Sequence, residues 1–161
     1  MDRKLLGIYL QDHHAGSTTG WELVRRARAS NQGTTYGDFL SRLADEIAAD
    51  RRTLEEIMED VGVGIDRAKD GAAWVGEKLG RLKPNGQITG YSPLSRLVEL
   101  EGLALGVTGK LALWRALRLL ADEEPALDAD RLERLAERAK EQQDKIEEHR
   151  IRAARLAFGA V

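Results

Sequence analysis

The chain reads as all-α, and three observations carry that reading. Apolar residues recur at three- and four-residue spacing through long runs. The three prolines all lie at or near breaks between those runs, and charged residues are dense at 32% while aromatics are sparse at 5%. Hydrophobic residues make up 42% of the 161 positions. That is enough to fill the core of one helical domain spanning residues 1–161.

The elements follow in order. A first helix is expected from Arg3 to Ser30, ending at Asn31-Gln32-Gly33, where the glycine can supply a left-handed terminating residue. Thr34 or Thr35 offers a hydroxyl cap for a second helix, which carries Phe39, Leu43, Ile47, Leu54, Ile57 and Val61 at helical spacing and stops at Gly62-Val63-Gly64. A shorter helix is expected from Asp66 to Leu82, closed by the turn Lys83-Pro84-Asn85-Gly86 and followed by a short extended strip from Gln87 to Tyr91.

Ser92-Pro93 then starts a long helix well, with serine as cap and proline in the first turn. It should last to about Ala121 and is apolar on two sides. Leu94, Val98, Leu105, Ala112, Ala116 and Leu119 form one stripe, and Leu100, Leu103, Val107, Leu111 and Trp114 form another almost opposite. After the break at Asp122 to Ala126, Asp128 or Asp130 can cap a last helix to Phe158, with Leu132, Leu135, Ala139, Ile146 and Ala153 on its core side.

Charge and composition exclude several classes. A formal charge of -2 and a pI near 6.0 argue against a nucleic-acid surface. The absence of cysteine removes disulfides, thiolate metal sites and thiol nucleophiles. The apolar run at Met1 to Leu6 is too short for a secretory signal, and no stretch approaches the roughly 20 apolar residues of a membrane span. A cytoplasmic protein is expected. Ser17 has no base and acid at triad spacing, and neither glycine run follows a strand as a dinucleotide site requires.

Short turns make each pair of long helices antiparallel. The shorter helix of about 17 residues would extend some 25 Å, enough to return the chain to the far end of the bundle. Two antiparallel hairpins joined by a long crossover containing a shorter extra helix resemble the ferritin-like four-helix bundle. In the metal-binding members of that family each hairpin contributes a glutamate from one helix and Glu-x-x-His from the other, and the four together hold two metal ions.

Here the pattern is broken. Glu46 and Asp50 lie on the core arc of the second helix, but Ala49 stands three after Glu46 where the family would place histidine. Glu101 falls in the arc of Leu94, Val98 and Leu105 and matches the single glutamate of that hairpin. Arg150, not histidine, stands three after Glu147, and His149 falls off the core arc. On the first helix His13 shares a face with Leu6, Tyr9, Gly16, Gly20 and Val24, while His14 turns about 100° away toward the surface.

Counting from the turns places His13 near the height of Asp50, Glu46 between Glu101 and Thr108, and Glu101 level with Glu147 to Arg150. One buried polar layer is therefore expected, made of His13, Glu46, Asp50, Glu101, Gln143, Glu147 and Arg150. It can be neutralised in two ways. A divalent iron, manganese or zinc could be held by His13, Glu46, Asp50, Glu101 and Glu147, which the resemblance links to oxidase or iron-handling activity. Alternatively Arg150, helped by Arg115, could complete an ion-pair network with no metal, leaving a non-catalytic bundle.

Two further expectations concern surfaces. Gly16 to Gly20 and Gly102 to Gly106 put small residues one turn apart at one height, so the first helix and the helix from Pro93 should touch there. The stripe from Leu100 to Trp114 must be covered by the crossover helix or by a second subunit, and a homodimer is expected. The charge-rich region from Glu133 to Arg155 reads as a solvated helix face.

Overall fold

The computed structural model describes residues 1–65 and 91–159. The expected helix at Asp66 to Leu82, the turn at Lys83 to Gly86 and the strip from Gln87 to Thr89 and Gly90 lie outside the described residues. Four α-helices are present among those described: α1 (Arg3–Ser30), α2 (Thr35–Asp60), α3 (Pro93–Leu120) and α4 (Ala129–Phe158). None of them is long and apolar enough to cross a membrane.

Each helix begins where a short polar side chain can accept the first unpaired N–H groups. Asp2 accepts from Lys4 and Leu5, Thr34 from Gly37, Ser92 from Ser95 ahead of Pro93, and Asp128 from Arg131. Gly33 and Gly62 take φ of 73°, where a Cβ would be strained, so the chain turns after α1 and after α2 at the expected glycines.

Side-chain pairs fix how the helices run. Along α2 and α4, Phe39 meets His149, Asp50 meets Arg138 and Glu56 meets Arg131, so the two helices run in opposite directions. His14 of α1 meets Glu55 of α2, and Arg26 of α1 meets Glu99 of α3, again antiparallel to the neighbour in each case. Thr108 with Gln143 and Glu101 with Arg150 set α3 antiparallel to α4. Arg96 over Tyr36 and Lys110 on Asp50 show α2 and α3 running the same way.

The core lies between these helices. All six apolar residues expected on α2 and all five on α4 are buried. On α3 the two stripes are resolved. Leu100, Leu103, Val107, Leu111 and Trp114 are buried, whereas Leu105 and Leu119 of the other stripe are among the most exposed apolar side chains. The stripe expected to need covering is thus the core itself. The Trp114 indole N–H and the Tyr36 hydroxyl are buried with no hydrogen-bond partner among the described residues. Such groups typically cost about 1–3 kcal/mol each.

The glycines divide in the same way. α1 and α3 do pack together, and a Cβ on Gly102 would stand 3.0 Å from the Leu23 side chain, but Gly16, Gly20 and Gly106 face open space. Their small size is therefore not what brings the helices together. Gly37 is the stringent position, because a Cβ there would overlap the Asn31 carbonyl group in the α1–α2 turn. Gly37→Ala should lower stability by at least about 2 kcal/mol, while Gly16→Ala, a helix-interior glycine in open space, should raise it by about 0.5 to 1 kcal/mol. Urea denaturation midpoints of the two variants check both signs.

Candidate functional site

At the centre of the bundle a carboxylate is buried. Asp50, on the core side of α2, is 3% exposed, and a buried charge without compensation is strongly unfavourable. Two cations meet it from two different helices. The Lys110 ammonium of α3 bonds Asp50 Oδ2, and the Arg138 guanidinium of α4 bonds Asp50 Oδ1. Gln142, also buried, completes the set: its Oε1 accepts from Lys110, and its Nε2 donates to Glu46 Oε2 at 2.9 Å and to Asp50 Oδ2 at 3.4 Å.

Two carboxylates are thus balanced by two cations across α2, α3 and α4. Burial holds the Lys110 ammonium below the usual lysine range, and Asp50 pulls it back up. Beside this network lies a cleft of about 250 Å³ whose lining includes Phe39, Arg42, Glu46, Gln142, Lys145 and His149. Charges of both signs surround it, so it has no single-sign field for an ionic ligand.

Of the residues expected in one layer, Glu46 and Asp50 meet and the others do not join them. Glu101 is exposed and lies 3.7 Å from Arg150, which is bonded to the exposed Glu147 at 2.6 Å. These three form a surface group on the outer edge between α3 and α4. The Arg150 hydrogen bond lowers the Glu147 carboxyl below its ordinary range. Glu101 shares the stripe of α3 that faces out, with the exposed Leu105 and Leu119. Gln143 donates to Thr108 at 2.8 Å and does not join Asp50.

The histidines are exchanged. His14, expected at the surface, is 1% exposed and its Nε2 lies 3.1 Å from Glu55, which also takes the Arg51 guanidinium. His13 is half-buried against Tyr9, with ring centroids 4.5 Å apart, and burial lowers its pKa against the pull of Asp12. The buried line on α1 runs through Leu6 and Leu10, and four residues on from Leu10 is His14. The level of His14 on α2 is Glu55, more than one turn beyond Asp50, so no imidazole reaches the central network. His149 is half-buried and stacked on Phe39 at 3.9 Å. Ser17 donates to the His14 carbonyl at 2.7 Å, a local helix bond with no nucleophilic role.

A second polar cluster ties the α1–α2 turn to α3. Buried Asn31 donates to the Ala27 carbonyl at 2.7 Å and to the Tyr91 hydroxyl at 2.8 Å, and accepts from Arg96 at 2.6 Å. The Tyr91 hydroxyl in turn donates to Glu99 at 2.7 Å, with Arg26 3.6 Å from the other Glu99 oxygen. Arg96 also lies over the Tyr36 ring, 4.4 Å from its centroid. Burial raises the Glu99 carboxyl, opposed by its bonds to Tyr91 and Arg26, and burial first of all raises the Tyr91 phenol well above its ordinary value.

The donor set does not fit a di-metal centre. Both oxygens of Asp50 are engaged by cations, Glu101 and Glu147 face water, and the histidines lie elsewhere. Among the described residues no three His, Cys, Asp or Glu side chains are grouped to hold a metal ion. Comparison of the chain with family models, with curated proteins and with solved structures gives no match.

Tyr91→Phe should lower stability by about 1 to 3 kcal/mol, since it strips buried Asn31 and Glu99 of a partner each. The pH dependence has a definite sign. Folding raises the phenol pKa, so its contribution is complete below the unfolded value near 10 and is lost as pH rises through the folded value. Denaturation midpoints measured from pH 8 to pH 11.5 should therefore fall less steeply for Tyr91→Phe than for the parent chain.

Proposed function

We propose that this chain is a ferritin-like bundle of two antiparallel hairpins in which an ion-pair network stands in place of a di-metal centre. It serves as a non-catalytic, self-associating scaffold. The helix directions support the topology: α1 and α4 run one way, α2 and α3 the other, the order that two hairpins and a long crossover produce. The observation that carries the reading is Asp50 bonded on both oxygens by Lys110 and Arg138. These cations supply, from within the chain, the positive charge that a metal pair would bring to the centre of a ferritin-like bundle.

A scaffold needs a rigid, uniquely registered bundle, and a polar network spanning three helices supports that by penalising every register that unpairs it. Among the described residues no metal donor set accompanies the network.

Elemental analysis of chain purified without chelator tests the reading. Iron, manganese and zinc should each fall below about a tenth of an atom per chain, and EDTA should leave the thermal midpoint unmoved. Asp50→Ala should lower stability by about 3 kcal/mol, because it leaves the Lys110 ammonium buried and unpaired. Near-stoichiometric metal that disappears in Glu46→Ala or Asp50→Ala would overturn the reading in favour of a metal-dependent oxidase or iron-handling protein.

A further inference from the structure

The outward side of α3 is an apolar ridge. At 100° per residue Leu94, Val98, Leu105, Ala112, Ala116 and Leu119 fall within about 40° of one line along the helix; Leu94 at its start packs against the core, Val98 and Ala116 are half-buried, and Leu105, Ala112 and Leu119 are exposed. Leu105 and Leu119 are 75% and 79% exposed, more than any other large apolar side chain described. Gly109 lies on the same ridge, with open space where its Cβ would be. On the edge facing α4 the ridge is flanked by Glu101 and by the exposed Arg115, which has no carboxylate partner among the described residues.

We propose that this ridge is the contact surface of a two-fold homodimer in which α3 packs antiparallel against α3 of a second copy, centred near Gly109. The inference rests on the reading of the chain as self-associating and gives that association its surface. A two-fold axis perpendicular to an antiparallel helix pair brings like edges together. Leu105 then faces Ala112 of the second copy and Val98 faces Leu119, so large residues meet smaller ones at both levels.

On the flanking edge the same axis sets Glu101 opposite Arg115 of the second copy, twice over. A parallel pairing does neither: Leu105 would meet Leu105, Leu119 would meet Leu119, and the charged edges would lie on opposite sides. Shape and charge are therefore complementary within one surface, which is the property an isologous contact requires and a foreign partner does not.

Sedimentation equilibrium of the full chain over a concentration series tests the proposal. The expected mass is twice 17.9 kDa. Leu105→Glu, at a position so exposed that folding is spared, should weaken the dimer at least about thirtyfold with unchanged helicity. Glu101→Arg and Arg115→Glu should each weaken it, and the two together should restore it, since only the antiparallel register pairs those positions.

A dimer unmoved by Leu105→Glu, or single charge reversals that the double variant fails to rescue, would overturn this surface while leaving self-association standing. A monomer at every concentration would overturn both and leave the ridge to a different partner. A mass that climbs past the dimer would mean a head-to-tail contact and overturn the two-fold arrangement.

Discussion

The structure depends on how one carboxylate is kept inside it. Asp50 is buried on the core side of α2, and that placement is tolerable only if positive charge arrives from elsewhere in the fold. Lys110 comes from α3 and Arg138 from α4, so neutralising Asp50 requires three helices to be aligned along their axes and turned about them at once. Apolar packing alone is permissive about such alignment, because leucines slide past leucines with little change in buried area. A directional bond to a charged group is not. The Gln142 amide, accepting from Lys110 while donating to Glu46 and Asp50, leaves the network little freedom to rotate.

The same logic operates at the ends of the bundle, with different chemistry. At one end Arg3 of α1 bonds Glu124 in the α3–α4 turn at 2.7 Å and reaches the Val61 carbonyl at the end of α2. At the other, Asn31 holds the α1–α2 turn to Tyr91 and Arg96 at the start of α3. Three polar anchors are therefore spaced along the rod, separated by stretches of leucine, valine and alanine. Each anchor joins elements distant in sequence, and together they specify a register that the apolar stretches between them then stabilise.

The helices were legible in the residues because their ends are chemically marked: Asp2, Thr34, Ser92-Pro93 and Asp128 open them, and Gly33 and Gly62 mark the turns after the first two. Helix faces were legible where one stripe alone is apolar, as on α2 and α4. On α3 two apolar stripes compete, and periodicity cannot say which faces inward. That ambiguity carried Glu101 into the expected site and kept Lys110 out, although Lys110 continues the line of Leu103 and Val107 by one turn. Gln142 likewise follows Leu135 and Ala139 on the core side of α4 and could have been found.

The glycine-rich stretch of α1 offers few apolar residues to fix the face of His14, and periodicity favours Tyr9 although Leu10 is the buried neighbour. Asn31 and Tyr91 had no signal in periodicity at all. They sit in a turn and ahead of a helix, where only three-dimensional proximity reveals a bond.

The identity of the cations at the centre bears on what the bundle can do. A metal ion held by carboxylates keeps exchangeable positions and changes charge or ligand during chemistry. A guanidinium and an ammonium on covalent tethers offer neither. Burial lowers the Lys110 pKa, and the Asp50 carboxylate it touches pulls it back up. Both Asp50 oxygens and both ends of the Gln142 amide are engaged within the network, while the Arg138 Nε is buried without a hydrogen-bond partner among the described residues. The network's free energy is spent on holding three helices in one arrangement.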